Sequence, residues 1–541
     1  MTEETPTLVW DDVRITYAGG NVAVDGVSLE VERGGTVGLA GESGCGKSTL
    51  AMSVLRLLPR TARIEGRIVL QGEDVSDMTW GRLRAVRWTE AAIVFQGAMH
   101  SLNPVRQVRH QVAEALALHS TKEFPDSAAR LRRVDELLAL VDLTPAKGRA
   151  YPHELSGGQR QRVMIAMALA CDPELIIADE PTTALDVVVQ AQVLDVLNGL
   201  VRDRELTLVM ISHDLAVLAA VCDRIVVMRN GRIVEQGNAQ QILTAPTHEH
   251  TKELAAAFPI IGDPSSRLVV GSQAVHAEGA APVTAEHAVL EVRDLVVDFR
   301  SRGQHVRAVD HVDLTCGSGE IVALVGQSGS GKTTLARTIL GLQKPTSGHV
   351  LHEGKPLPHR RAALKAYRRQ VQYVLQDPTA SLNPKHTVYE AVAEGIRIHG
   401  LDDERERVIR ALTRAELTPP ERFFAAIPQE LSGGQRQRVV IAGALALDPT
   451  YLVADEPVAS LDASVRGEIL ALLLQLRRDL GLGALVITHD LGLAWNIADR
   501  VVVMHQGRIV ENGPVEQVLL DPQHDYTKSL LVVVPSKLGL R

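Results

Sequence analysis

Gly41-Glu42-Ser43-Gly44-Cys45-Gly46-Lys47-Ser48-Thr49 forms one loop of this chain, and Gly326-Gln327-Ser328-Gly329-Ser330-Gly331-Lys332-Thr333-Thr334 forms its second copy. The first copy follows a short apolar run, Thr36 to Ala40, and opens a stretch of helical spacing, Lys47 to Leu58. Glycines let the backbone wrap a polyphosphate, and the start of the following helix offers unpaired N–H groups to it. Lys47 and Lys332 are placed to reach the outer phosphates, and Ser48 and Thr333 to ligate Mg²⁺. A glycine-rich turn with an incidental lysine is the plain alternative, and recurrence of the loop argues against it.

The repetition extends outward from these loops. Val94–Pro104 recurs as Val374–Pro384, Ile177–Asp186 as Val453–Asp462, and Ile211–Leu215 as Ile487–Leu491. Glu154–Val163 recurs unchanged as Glu430–Val439. Two homologous halves follow, 1–261 and 288–541, each long enough to bury its own core. The seam, 262–287, is rich in Ala, Gly, Ser and Pro and reads as a flexible linker. Leu175–Ala178 and Leu206–Ile211 have the look of buried parallel strands. Ile225–Met228 with Asn230-Gly231 reads as a hairpin, repeated by Val501–Met504 with Gln506-Gly507. Arg132–Leu143 has helical periodicity and suggests an inserted helical subdomain. The fold class is α/β.

Composition removes several alternatives. The chain has 541 residues, 45 % hydrophobic and 23 % charged, which is ordinary for a globular protein. There is no apolar run of the length a membrane helix needs, about 18 residues, and Met1–Pro6 lacks the marks of a secretory signal. A net charge of −8 disfavours nucleic acid as the main partner. The four cysteines, Cys45, Cys171, Cys222 and Cys316, are far apart, so neither a disulfide framework nor a zinc site is expected, and a reducing cytoplasm is.

Each half also carries an acid pair after an apolar run, Asp179-Glu180 and Asp455-Glu456. A parallel strand delivers such residues at the sheet edge where α/β folds bind ligands. Asp179 and Asp455 suit Mg²⁺, and Glu180 and Glu456 suit a general base for an attacking water. Solvated surface acids are the alternative, disfavoured by the position after a buried strand.

Leu155-Ser156-Gly157-Gly158-Gln159 and Leu431-Ser432-Gly433-Gly434-Gln435 resemble the signature of ABC-type ATPases. The resemblance covers nearly the whole chain, twice. It implies two tandem P-loop nucleotide-binding domains, each with a RecA-like core, an antiparallel β subdomain and an inserted helical subdomain. It implies ATP hydrolysis with Mg²⁺, at two competent sites formed head to tail between one half's phosphate loop and the other half's signature. By the same resemblance, Gln96 and Gln376 are the Q-loop glutamines, which contact Mg²⁺ or water. Asp186 and Asp462 are the D-loop aspartates, and His213 and His489 the switch histidines at the γ-phosphate. Tyr17 and Phe299 sit where the family stacks an aromatic on adenine; a core aromatic at a strand end remains an open alternative for both. Cys45 occupies a variable loop position and reads as a filler, yet one open to thiol reagents when the loop is empty.

Two further features are similar to the ATPases of dipeptide, oligopeptide and nickel importers. These are Ser101-Leu102-Asn103-Pro104 with Ser381-Leu382-Asn383-Pro384, and the tails Pro246–Lys252 and Pro522–Lys528. The first tail, with Glu249 and His250, departs further from that family's Pro-x-His-Pro-Tyr-Thr pattern than the second, with Asp525 and Tyr526. No cysteine follows Cys222 in the first half or Cys316 in the second, so the iron–sulfur cluster of some relatives is not expected. The resemblance implies a peripheral subunit on the cytoplasmic face of the cell membrane. It would dock on two permease subunits through the segments Gly97–Arg109 and Asp377–Tyr389, with an extracytoplasmic solute-binding protein delivering peptide. Membrane contact would run through the permeases alone. ABC-F ATPases on ribosomes also join two such halves, but through a long basic linker, and 262–287 holds one arginine and no lysine. DNA-repair ABC ATPases carry zinc-binding cysteine clusters that this chain lacks.

Overall fold

The computed structural model of the protein describes residues 5–95, 101–183, 185, 187–256, 261–268, 288–301, 304–358, 360–459 and 461–531. The chain divides into two compact units, Met1–Phe258 and Pro259–Arg541.

In the first unit a six-stranded sheet has the order Arg232–Asn238, Arg224–Arg229, Thr36–Ala40, Thr207–Ile211, Leu175–Asp179, Ala91–Val94. All neighbours are parallel except the hairpin formed by the first two. The continuous apolar runs are strands because every residue of Thr36–Ala40, Leu175–Asp179 and Thr207–Ile211 is buried, as a sheet covered on both faces requires. The hairpin turns on Asn230 and Gly231, both at positive φ (49° and 80°), the conformation such a two-residue turn demands. A second, antiparallel sheet of Val22–Val31, Leu8–Thr16, Arg63–Leu70 and Glu73–Asp74 packs on the first. Trp10 and Ile15 share one core with Leu39, Leu50, Ile177 and Ile211.

The second unit repeats the plan. Its six-stranded sheet runs Val371–Val374, Tyr451–Asp455, Gly483–Thr488, Ile321–Val325, Arg500–His505, Arg508–Pro514. The inserted helical layers are Val108–His119, Ser127–Leu140 and Gly157–Ala168, then Val388–His399, Glu404–Arg414 and Gly433–Leu445. The helix after the first loop is shorter than its periodicity suggests, Lys47–Val54 rather than reaching Leu58. Among the described residues no helix is long and apolar enough to cross a membrane.

Residues 262–268, read as the start of a linker, are packed onto the second unit. Ile261 just before them is fully buried. The Arg267 guanidinium lies over the Trp495 ring, 5.0 Å from its centroid, pairs with Glu516 and donates to the Ala498 carbonyl. Trp495 Nε1 donates to the Asp263 carbonyl and the Leu268 N–H to Asn496 Oδ1. Residues 269–287 lie outside the described residues.

Both tails are tied back to a hairpin strand by one carboxylate. Glu235 accepts from the Thr247 N–H and hydroxyl (2.7 Å each) and the His248 N–H (3.0 Å); Glu511 accepts from the Gln523 and His524 N–H groups. Burial pushes the Glu235 carboxyl up, but hydrogen bonds from Thr251, Thr247 and His248 outweigh it and bring the group down to about 2 from 4.5. Its folded-state pKa is therefore the lower one. The anchoring is complete above about pH 4.5 and fades as pH falls toward 2. Hydrogen exchange across Glu249–Ala256 should quicken in that window, and Glu235→Gln should remove the pH dependence. Protection that stays flat through the window would contradict this anchor.

Candidate functional site

The parallel strands end at one edge of each sheet, and the sequence motifs collect there. In both loops the crest is exposed, Ser43-Gly44 and Ser328-Gly329, while the residues after it, Cys45–Lys47 and Ser330–Lys332, are buried. Gly41 and Gly326 stand at φ 142° and 151°, and a Cβ on either would lie 2.3 or 2.2 Å from the carbonyl oxygen of Met228 or Met504. No residue with a side chain fits there. The buried Lys47 folds back, its Nζ donating to the Gly41 and Glu42 carbonyls (2.7 Å each); Lys332 does the same to Gly326 and Gln327 (2.7 and 2.8 Å).

Behind each lysine a hydroxyl meets a carboxylate. Ser48 Oγ donates to Asp179 Oδ1 and Thr333 Oγ1 to Asp455 Oδ2, both at 3.1 Å. Burial raises the pKa of Asp179 and Asp455, outweighing these hydrogen bonds. A buried carboxylate beside a hydroxyl is a hard oxygen donor set, and a cation there would relieve the cost of burying the charge. The residues present fit Mg²⁺.

The next residue in each strand is held in an unusual backbone conformation. Glu180 and Glu456 have φ of 46° and 47°, the left-handed region that non-glycine residues rarely adopt, and such strain gathers at functional positions. Their side chains meet the predicted histidines: His213 Nδ1 is 3.4 Å from Glu180 Oε1, and His489 Nδ1 is 2.9 Å from Glu456 Oε1. Thr183 donates to Glu180 Oε2 at 2.7 Å and Gln376 Nε2 to Glu456 Oε2 at 2.6 Å. Burial pushes both glutamates up, but the bond and charge of the histidine, together with the loop lysine, hold them below their usual range. Burial likewise disfavours the charged form of His489, but Glu456 more than offsets it and raises its pKa.

Elsewhere the structure adds detail or departs from the sequence reading. Ser156 and Ser432 cap the helices Gly157–Ala168 and Gly433–Leu445, in reciprocal hydrogen bonds with Gln159 and Gln435. A Cβ on Gly158 would fall 1.9 Å from Val189 Cγ1, and one on Gly434 would fall 2.4 Å from Val465 Cγ1. These glycines are packing positions. The Tyr17 hydroxyl is 3.1 Å from Thr49 Oγ1, which ties it to the loop helix, whereas Phe299 is 40 % exposed and so is not a core aromatic. Thr334, the counterpart of Thr49, is half-buried in the helix Lys332–Ile339, and Asp462 stands at the N-cap of Ala463–Leu480. Gln96 and Asp186 lie outside the described residues.

Cys45 corrects an expectation. Its thiol is turned inward beside Lys47 Nζ (3.6 Å) and only 7 % exposed, because the loop crest leaves Cys45 on its inner side; Ser330 is buried the same way. Tyr373, which donates to Asp455 Oδ2 at 3.0 Å, was missed by the sequence reading. The signal was present, since the first half has Ile93 at that place on the equivalent strand.

Residues 24–183 and 309–459 match the ABC transporter family, and residues 234–282 match the oligopeptide/dipeptide transporter C-terminal region. The second match falls on the first tail, the copy that departs further from the pattern by its residues. The glutathione import ATP-binding protein GsiA of Escherichia coli (strain K12) is 40 % identical over 541 positions, covering 95 % of this chain and 86 % of that protein. GsiA of Salmonella typhimurium (strain LT2) gives the same figures. The archaeal ribosome recycling factor aABCE1, solved with the stalk protein aP1, aligns over 93 % of this chain and 90 % of its own at TM-score 0.59 and 21 % identity, a likeness of fold alone. The chain belongs to the ABC transporter family, as two fused ATP-binding domains with the C-terminal region of its oligopeptide/dipeptide transporters. Its reaction is ATP hydrolysis.

With the thiol buried, bulky maleimides should modify Cys45 slowly in the native chain and quickly after denaturation. Cys45→Ser, which copies the second loop, should keep nucleotide affinity within about twofold. Rapid native modification, or lost affinity in Cys45→Ser, would give the thiol a role of its own.

Proposed function

We propose that this chain is the ATPase subunit of an importer for peptide cargo, and that both its ATP sites hydrolyse. The observation that carries the reading is the glutamate–histidine pair beside an intact lysine loop, present in both units. Lys47 and Lys332 leave their own loop carbonyls to bind the outer phosphates, and the loop N–H groups complete the cradle. Ser48 with Asp179, and Thr333 with Asp455, would hold Mg²⁺, which would supply neutralisation of phosphate charge. Glu180 and Glu456, kept ionised, take a proton from the attacking water, and His213 and His489 orient them and meet the γ-phosphate. Gln96 and Gln376 link that site to the permease-facing segment. Ser156–Gln159 and Ser432–Gln435 close each site from the other half, and Asp186 and Asp462 line it; this head-to-tail arrangement is carried over from the family.

Peptide as cargo is supported by the C-terminal-region match and by the relatives' name, which makes the tripeptide glutathione one candidate. The partners are two permeases, through which a solute-binding protein acts, and the chain sits at the inner face of the membrane. Docking through the segments after the Q-loops is supported by their geometry. Asn103 Oδ1 accepts from the Val105 N–H and Asn383 Oδ1 from the Lys385 N–H, so each Ser-Leu-Asn-Pro forms a fixed turn that leaves Val105 79 % exposed. Co-purification from membranes with permease subunits is the direct test; co-sedimentation with ribosomes instead would refute the importer reading.

Glu180→Gln and Glu456→Gln should each lower ATP turnover about 10²–10⁴-fold while leaving nucleotide binding intact. A variant with near-normal turnover would show that its site is not a working one. Arg106→Glu with Lys385→Glu should leave the isolated chain's ATPase unchanged and weaken its stimulation by cargo in the assembled transporter. Stimulation equal to that of the parent would remove these segments from the coupling surface.

A further inference from the structure

The second tail reaches the phosphate loop. The Gln327 N–H donates to the Tyr526 hydroxyl at 2.9 Å, and the carbonyl of the same residue accepts from Lys332 Nζ at 2.8 Å. One loop residue is thus gripped from two sides, by the tail through its N–H and by the loop lysine through its carbonyl. When the lysine turns to phosphate, the tyrosine grip remains, together with the Ser330 N–H bond to the Gln327 carbonyl at 3.1 Å.

The tyrosine is itself held in place. Its ring lies on His505, with centroids 3.9 Å apart and planes 31° apart, and His505 ends the strand that pairs with the strand leading into the loop. The turn after that strand touches the loop as well, since the Gly507 N–H donates to the Ser330 carbonyl at 2.9 Å. Below, the Tyr526 N–H donates to His524 Nδ1, Thr527 is fully buried, and Glu511 anchors the start of the helix.

The first tail has the same scaffold and a different tip. The His250 N–H donates to His248 Nδ1, Thr251 is fully buried, and Glu235 is the anchor. At the tip stands His250, 1 % exposed, with neither ring nitrogen hydrogen-bonded and the Glu253 carboxylate 3.5 Å from Nδ1. The loop residue matching Gln327 is Glu42.

We propose that Tyr526 is a positioning residue for the second nucleotide site, fixing the phosphate loop through Gln327, and that the first site lacks this brace. This rests on reading both loops as ATP sites. The loop must hold one shape for its N–H groups to converge on phosphate, so a brace present before nucleotide arrives raises affinity by preorganisation. The second site then binds Mg–ATP more tightly than the first, and its affinity answers to the tail.

The test uses the full chain, with a fluorescent ribose-labelled ATP and Mg²⁺ as the probe. Lys47→Ala leaves the second site to be titrated, and Lys332→Ala leaves the first. Tyr526→Phe keeps the ring on His505 and removes only the hydroxyl. It should raise the second-site dissociation constant about two- to tenfold, the range of one hydrogen bond, and leave the first-site value as it was. Tyr526→His, which copies the first half, should do the same or more. Unchanged second-site affinity in Tyr526→Phe would overturn the proposal, and so would an equal loss at both sites, which would signal general destabilisation. Binding that survives the Lys47→Ala, Lys332→Ala double substitution would instead remove the ATP-site reading, and this proposal with it.

Discussion

Everything at the two sites depends on the register of three parallel strands. Leu39 and Asp179 both lie opposite Ile211; in the second unit Leu324 and Asp455 both lie opposite Ile487. That alignment brings the glycine loop, the acid pair and the histidine to one edge within hydrogen-bond reach. A slip of one residue would turn Asp179 to the opposite face of the sheet and separate it from Ser48. The uniformly buried apolar runs prevent the slip, because both faces of these strands are packed.

Much of this was legible in the sequence because the chemistry constrains residue type. Only glycine can stand at Gly41 against the Met228 carbonyl, and Ser48 needs an acceptor where Asp179 stands. The strands were readable from unbroken apolar runs, and the hairpins from Asn-Gly and Gln-Gly. What was hidden was set by contacts distant in sequence. The grip of Tyr526 on Gln327 joins residues nearly two hundred positions apart, and Arg267 finds Trp495 across a similar span. Composition alone made 262–268 look like linker, since its docking partners Trp495, Asn496 and Glu516 lie more than two hundred positions away. The left-handed glutamates were equally invisible, for nothing in Asp-Glu announces a strained φ.

The halves share motifs but differ in their supports. Asp455 has a tyrosine donor where the first unit has Ile93, and the loop of the second unit has a tyrosine brace where the first unit has a buried histidine. Under the proposed function, the motif residues carry the reaction and the supporting residues set how firmly each loop is held before substrate arrives. Two copies of one constellation can therefore keep the same chemistry and drift apart in preorganisation.

The close approach of Gly158 to Val189, and of Gly434 to Val465, has a consequence for how such a chain evolves. The signature glycine and the valine on the neighbouring helix occupy one volume between them. A side chain in place of the glycine must be matched by a residue smaller than valine on the neighbouring helix, so the glycine cannot change before the valine does. In a duplicated chain this locks each copy separately: recombination between the halves that transfers the glycine segment without its helix stays neutral only while both copies keep a valine there.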